Sequence, residues 1–125
     1  HLNHNLNMTS PFWGEFGIAS LPHIESVRRY LAEEKDRWPS RPGDHFRHHT
    51  PIFGTMGEFG KLSQYSGYFM PDTTLAEFIT GSQLAQVVGV RHTLERARTL
   101  WPETTGALYY KMNDNYPGVS WSSVD

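Results

Sequence analysis

The reading of the fold turns on residues 11–27, "PFWGEFGIASLPHIESV". Phe12, Trp13 and Phe16 give residues 11–16 the aromatic character of a short strand, opened by Pro11 where a missing N–H does least harm. Ser20 can cap a helix, and Pro22 suits its first turn. Ile24, Val27, Tyr30 and Leu31 then fall at i, i+3, i+6 and i+7, which predicts an amphipathic helix over residues 21–35. Glu25, Arg28, Arg29, Glu33 and Glu34 lie mostly off that stripe, as a solvated face. Strand, turn and helix form one βα unit, and α/β folds bind ligands beyond the carboxyl ends of their strands. Glu15 stands at that end, between Gly14 and Gly17, which leave room for a ligand. With a period of two, Trp13 lies on the same side of the strand, one layer below Glu15. Position alone leaves two roles open for Glu15: meeting a ligand, or capping the helix that follows.

The rest of the composition sets bounds. The chain has 125 residues, the size of one domain, and a net charge of -2. That balance gives no reason to expect nucleic acid or an anionic membrane as partner. The absence of cysteine rules out disulfides, thiolate metal sites and thiol catalysis. No apolar run approaches the roughly 20 residues that span a bilayer, and "HLNHNLNMTS" lacks the basic and apolar regions of a signal peptide.

Residues 38–71 are broken by proline and glycine and are expected to form one long loop, with a helical turn within 61–70. Within it the tetrapeptide of residues 14–17 recurs as Gly57-Glu58-Phe59-Gly60. No strand precedes this copy, so Glu58 is expected on a loop near the pocket mouth. Asp44, His45, His48 and His49 are metal-ligand types, and His45 and His49 have helical i, i+4 spacing. Pro42-Gly43 and Pro51 leave little room for that helix, and a polar loop without metal is expected. Thr74 and Glu77 have capping-box spacing. A helix carrying Leu75, Phe78 and Ile79 should bend at Gly81-Ser82. A longer one carrying Leu84, Val87, Val88, Arg91, Leu94 and Ala97 should follow and end near Leu100, ahead of Trp101-Pro102. "GALYYKM" at 106–112 predicts a second, buried strand.

Strands separated by helices imply parallel pairing in an α/β fold. Two strands cannot cover both of their faces, so residues 1–125 are expected to be one incomplete domain. The final loop adds Asn113, Asp114, Tyr116 and Trp121 to Tyr109 and Tyr110. Aromatic faces beside amide and carboxylate groups suit a sugar ring. An ordinary aromatic strand with a polar turn gives the same pattern.

Three stretches together resemble a known family. Residues 11–27 resemble the nucleophile strand of glycoside hydrolase family 2, above all its β-mannosidase branch. There a Ser-Glu-Phe/Tyr-Gly stretch, a Gln-Ser pair and Phe-Pro precede a helix. "GALYYKMNDNYPGVSWSSVD" at 106–125 resembles the final barrel strand of those enzymes, and "LAEFITGSQLAQ" at 75–86 their penultimate helix region. The resemblance implies the C-terminal portion of a (β/α)8 TIM barrel, about strands seven and eight with their helices. It implies retaining hydrolysis of terminal β-glycosides, most of all β-mannosides, with Glu15 as nucleophile. The acid/base partner would come from strand four, in the remainder of the parent catalytic domain, roughly 5–5.5 Å from the nucleophile. The chain alone would then be inactive. Trp13, Tyr110, Asn113, Asp114 and Trp121 would shape the site of an oligosaccharide or glycoside, with no cofactor and no metal. The chain departs from the family at Gly14 (usually Ser), Ala19 (Gln), Tyr110 (Trp), Lys111 (Gln) and Tyr116 (Trp). Those departures leave a β-galactosidase or β-glucuronidase type open, and a non-catalytic carbohydrate-binding domain stands as the alternative of another class.

Overall fold

The computed structural model describes residues 9–38, 45–50, 57–71 and 73–125. Strand β1 (Phe12–Phe16) is followed by helix α1 (Ile24–Tyr30), a 3-10 turn (Glu34–Asp36) and the short helix α2 (His45–His48). Helix α3 (Gly57–Ser66), the long helix α4 (Leu75–Thr99) and strand β2 (Gly106–Tyr109) complete the order. The two strands pair in parallel, with Phe12 opposite Gly106, Trp13 opposite Ala107 and Phe16 opposite Tyr109. The expected α/β pairing is therefore present, as a two-stranded sheet.

The register shifts between Trp13 and Phe16. This breaks the period of two: Trp13 and Phe16 are buried, while Gly14 and Glu15 between them are exposed. The expectation that Trp13 underlies Glu15 on one face fails for that reason. The Trp13 side chain is wholly buried, and its indole Nε1 has no hydrogen-bond partner among the described residues.

Helix α1 is shorter than its apolar stripe suggested. His23, not Ser20, caps it, its Nδ1 accepting from Glu25 N at 3.4 Å. Ser20 instead pairs with Ser120, its backbone N–H donating to Ser120 O at 2.8 Å and its carbonyl accepting from Ser120 N at 3.1 Å. With Ser20 in that bridge, the chain runs on to His23 before the helix begins at Ile24. Asp125 adds a second brace at this helix start, its Oδ2 accepting from His23 N and from Ser26 Oγ.

The stretch expected as a long loop contains α2 and the ten-residue α3. The second copy of the tetrapeptide opens α3, so Glu58 lies on a helix, not on a loop. Leu62 and Ser66 turn inward from α3, and Ser66 Oγ donates to Phe78 O at 3.2 Å. This packing against α4 supplies what a weak local pattern lacks.

The bend expected at Gly81-Ser82 is absent, and α4 runs unbroken for 25 residues. Gly81 serves close approach instead: a Cβ there would lie 2.2 Å from Ser66 Oγ. The capping box is as read, with the Thr74 hydroxyl accepting from Glu77 N and the Glu77 carboxylate accepting from Thr74 N. Leu100 closes the helix as its C-cap.

The core gathers Ala19, Leu21, Val27, Leu31, Leu62, Phe78, Ile79 and Val119, with Trp38 and Trp121 packed against it. It lies where α1, α3 and α4 meet the loop after β2. By contrast Leu84, Val87, Val88 and Leu94 on α4, and Leu108 on β2, are exposed. Strand β2 is thus half-covered, not buried as a whole. No helix among the described residues is long and apolar enough to cross a membrane.

Candidate active site at the carboxyl ends of the strands

Parallel pairing brings the carboxyl ends of β1 and β2 side by side. The link is direct: Tyr110 N donates to Phe16 O at 2.8 Å. One residue further on, the chains touch so closely that a Cβ on Gly17 would lie 2.2 Å from Tyr110 O and 3.2 Å from Trp121 Cβ. Gly17 therefore admits the neighbouring backbone, whereas Gly14 has nothing within 4 Å of such a Cβ. Of the two glycines expected to leave room for a ligand, only Gly14 faces open space.

Glu15 is exposed at this strand end and has no hydrogen-bond or ion-pair partner among the described residues. The helix after it is capped by His23 and braced by Asp125. The capping role left open for Glu15 is thereby filled by other residues. Tyr110, bonded through its N–H to Phe16 O, is exposed, and its ring centroid lies 6.3 Å from that of Trp121. Lys111 Nζ stands 5.6 Å from the centre of the Tyr110 ring.

Asp114 is drawn inward and engaged. It forms an ion pair with Lys111 and accepts from the Ser122 hydroxyl. Burial pushes its carboxyl up, but the hydrogen bonds from Lys111, Ser120 and Ser122 outweigh that and hold it below the usual carboxylate range. The same bond raises Lys111. With its lone pairs so occupied, Asp114 organises the loop, while Asn113 beside it is exposed. Five of the expected site residues thus gather at one end of the sheet, and Trp13 is set apart in the packed interior.

Gln86 is a contributor that sequence reasoning missed. Its Nε2 lies 3.0 Å from Ile18 O, 3.2 Å from Tyr109 Oη and 3.0 Å from Ser122 O. Tyr109 in turn donates to Trp121 O. One amide on α4 thereby ties the exit of β1 to β2 and to the final loop. Ser82 and Gln83, one turn earlier, hold Leu21 by its N–H and carbonyl at 3.2 and 3.1 Å. The signal was legible: Ser82, Gln83 and Gln86 put polar groups at i, i+1 and i+4 on the side of α4 that meets the core.

Two clefts adjoin this end. One, of about 880 Å³, runs between α1, the first half of α4 and the final loop, past Arg29, Gln86, Asn113 and Asp125. The other, of about 280 Å³, is lined by His48, His49, Lys111, Asp114, Tyr116 and Trp121. Glu15 lines neither of them. Their open form among the described residues is that of a wall, not of an enclosed pocket.

His45 does fall on a helix with His48, contrary to the expected lack of room, while Asp44 lies outside the described residues. His49 just past that helix is engaged with Tyr116 and Pro117. Among the described residues no group of three or more histidines and carboxylates is placed to hold a metal ion.

No family model matches the chain. Among curated proteins it is 26% identical over 121 residues to β-mannosidase B of Aspergillus niger, covering 91% of this chain and 13% of that protein. The match to β-mannosidase B of Aspergillus terreus has the same identity and the same coverage of both chains. Among solved structures, β-D-mannosidase from Dictyoglomus thermophilum superimposes with a TM-score of 0.81 at 27% identity, over 97% of this chain and 14% of that one. The chain is thus β-mannosidase-like in sequence and in fold, and it spans about an eighth of the length of the curated relatives it matches.

Proposed function

We propose that this β-mannosidase-like chain forms part of the catalytic domain of a retaining β-glycoside hydrolase of family 2, acting on terminal β-mannosides. The observation that carries the reading is the placement of Glu15. It is an exposed carboxylate at the carboxyl end of a parallel strand, with no partner among the described residues, next to Phe16, whose carbonyl accepts from Tyr110 N. A carboxylate with no partner among the described residues is available to a substrate. The strand beneath it fixes its position better than a loop would.

In this reading the two strands are the seventh and eighth of a (β/α)8 barrel. The exposed apolar side chains of α4 and β2 then face the remainder of the domain. Glu15 attacks the anomeric carbon. The bond to the leaving-group oxygen breaks as that oxygen takes a proton from an acid outside this chain. Water, deprotonated by the same group, then releases the sugar from Glu15. Tyr110 and Trp121 offer aromatic faces to the ring, and Asn113 offers its amide to the hydroxyls. Asp114 serves the site by holding Lys111 and the loop, and Trp13 by anchoring β1 through its buried side chain.

A 2-fluoro-mannoside that traps the glycosyl-enzyme tests the assignment on the full-length protein. The label is expected on the peptide containing Glu15. Labelling on the peptide containing Glu58, or turnover without any trapped intermediate, overturns it. Preferential turnover of an aryl β-galactoside or β-glucuronide keeps the nucleophile and replaces the sugar. Sugar binding without turnover of any aryl glycoside favours the non-catalytic alternative.

A further inference from the structure

The final loop is held on two sides. On one, Ser20 and Ser120 exchange their backbone hydrogen bonds. On the other stands His49, immediately after α2. Its ring stacks on Tyr116 with centroids 5.1 Å apart and 13° between the planes, and it also meets the Tyr30 ring at 4.8 Å. Its Nδ1 lies 2.7 Å from Pro117 O. A carbonyl only accepts, so that nitrogen must carry the proton and donate. The His49 carbonyl accepts from Val119 N at 2.9 Å, and a Cβ on Gly118 would lie 2.2 Å from the same oxygen. Residues 116–119 each touch His49, and Trp121 follows two residues later. His49 also lines the 280 Å³ cleft together with Lys111, Asp114 and Trp121.

We propose that His49 is a positioning residue, which fixes the loop presenting Trp121 to the sugar site beside Glu15. The proposal rests on the glycosidase reading for its sugar and on the geometry alone for its hold on the loop. The position makes two demands at once: a flat ring to stack on Tyr116, and an N–H to reach Pro117 O. Phenylalanine lacks the donor and asparagine lacks the ring, whereas histidine meets both. Glu15 is placed by β1 and not by this loop, so losing His49 weakens sugar binding more than it slows the chemistry.

The test is made in the full-length protein with His49→Ala. KM for an aryl β-mannoside is expected to rise about tenfold, with kcat changed by less than about twofold. His49→Asn should restore part of the loss. Gly118→Ala, which drives a Cβ against the His49 backbone carbonyl and so displaces the same loop by another contact, should reproduce the rise. An unchanged KM, or a fall in kcat alone, overturns the proposal. Hydrogen exchange at Val119 and Ser120 reads the loop without requiring any activity, and should quicken about tenfold in His49→Ala. Unchanged exchange overturns the proposal whatever the kinetics. Faster exchange in a protein whose unsubstituted form hydrolyses no glycoside discards the sugar while sustaining the hold on the loop.

Discussion

The same four residues, Gly-Glu-Phe-Gly, end a strand at 14–17 and open a helix at 57–60. The tetrapeptide has no conformation of its own. Before the first copy stand Pro11, Phe12 and Trp13, an aromatic run that pairs with β2. After the second come Leu62 and Ser66, four residues apart, which bury one side of a helix against α4. Flanks and tertiary partners decide, as they commonly do where local propensity is weak. The functional contrast follows from the structural one. The carboxyl end of a parallel strand is the ligand side of an α/β fold, and only the first copy stands at such an end.

The sharpest way to break this comparison is to exchange the two glutamates for glutamine. In the full-length protein Glu15→Gln should lower kcat by about a thousandfold or more, as expected for loss of a nucleophile. Glu58→Gln should change kcat by less than about twofold. Steady-state kinetics on an aryl β-mannoside reads both, and equal losses would erase the distinction.

The second copy should matter for stability instead. Leu62 is wholly buried between α3 and the core. Leu62→Ala is expected to cost about 2–5 kcal/mol in a denaturant titration, through lost burial and the cavity left behind. Its kcat should stay near the unsubstituted value in the folded fraction. A large fall in kcat without destabilisation would draw α3 into the site.

Within the first copy, the glycines differ in their surroundings. Gly17→Ala drives a Cβ toward Tyr110 O, a backbone atom that cannot rotate away. The expected cost is about 1–3 kcal/mol, with a fall in activity as the two strand ends part. Gly14→Ala enters open space, and its stability should shift by less than about 0.5 kcal/mol. A thermal melt of the two variants compares them directly, and a marked KM rise in Gly14→Ala would mean that the ligand itself occupies that space.

Much of this was legible in the sequence, and the remainder was hidden for physical reasons. The strand at 11–16, the Thr74–Glu77 box and the helix end at Leu100 depend on local chemistry, which neighbouring residues display. Gly81 reads as a breaker by composition. Its role is set by Ser66, fifteen positions away in sequence and in contact in space. Ser20 reads as a cap and forms a bridge with Ser120, a hundred residues on. At the candidate site, Glu15 and Tyr110 were singled out through the resemblance, and parallel pairing brings the ends of their strands together. The burial of Trp13 was not visible, because a register shift leaves no mark in one strand's letters. Nor was the occupation of Asp114 by Lys111 and Ser122, or the reach of His49. Those depend on where loops fold back.

The smallest effect concerns a third glutamate, which shows what a structural carboxylate looks like beside Glu15. Glu77 accepts from Thr74 N at 3.0 Å and from the hydroxyls of Thr73 and Thr74. The Thr73 bond first, and then that of Thr74, hold its carboxyl below the ordinary value of 4.5. A depressed folded-state value means stability that is present above the unfolded one and is lost as pH falls through the folded one. Thr74→Ala should therefore cost about 1 kcal/mol at neutral pH, through loss of the cap. The loss should narrow as the pH drops below 4.5 and Glu77 takes up its proton. Urea titrations of both proteins at neutral and acid pH measure the gap. A gap that widened in acid would reverse the sign assigned to Glu77 and remove it as the structural counterpart to Glu15.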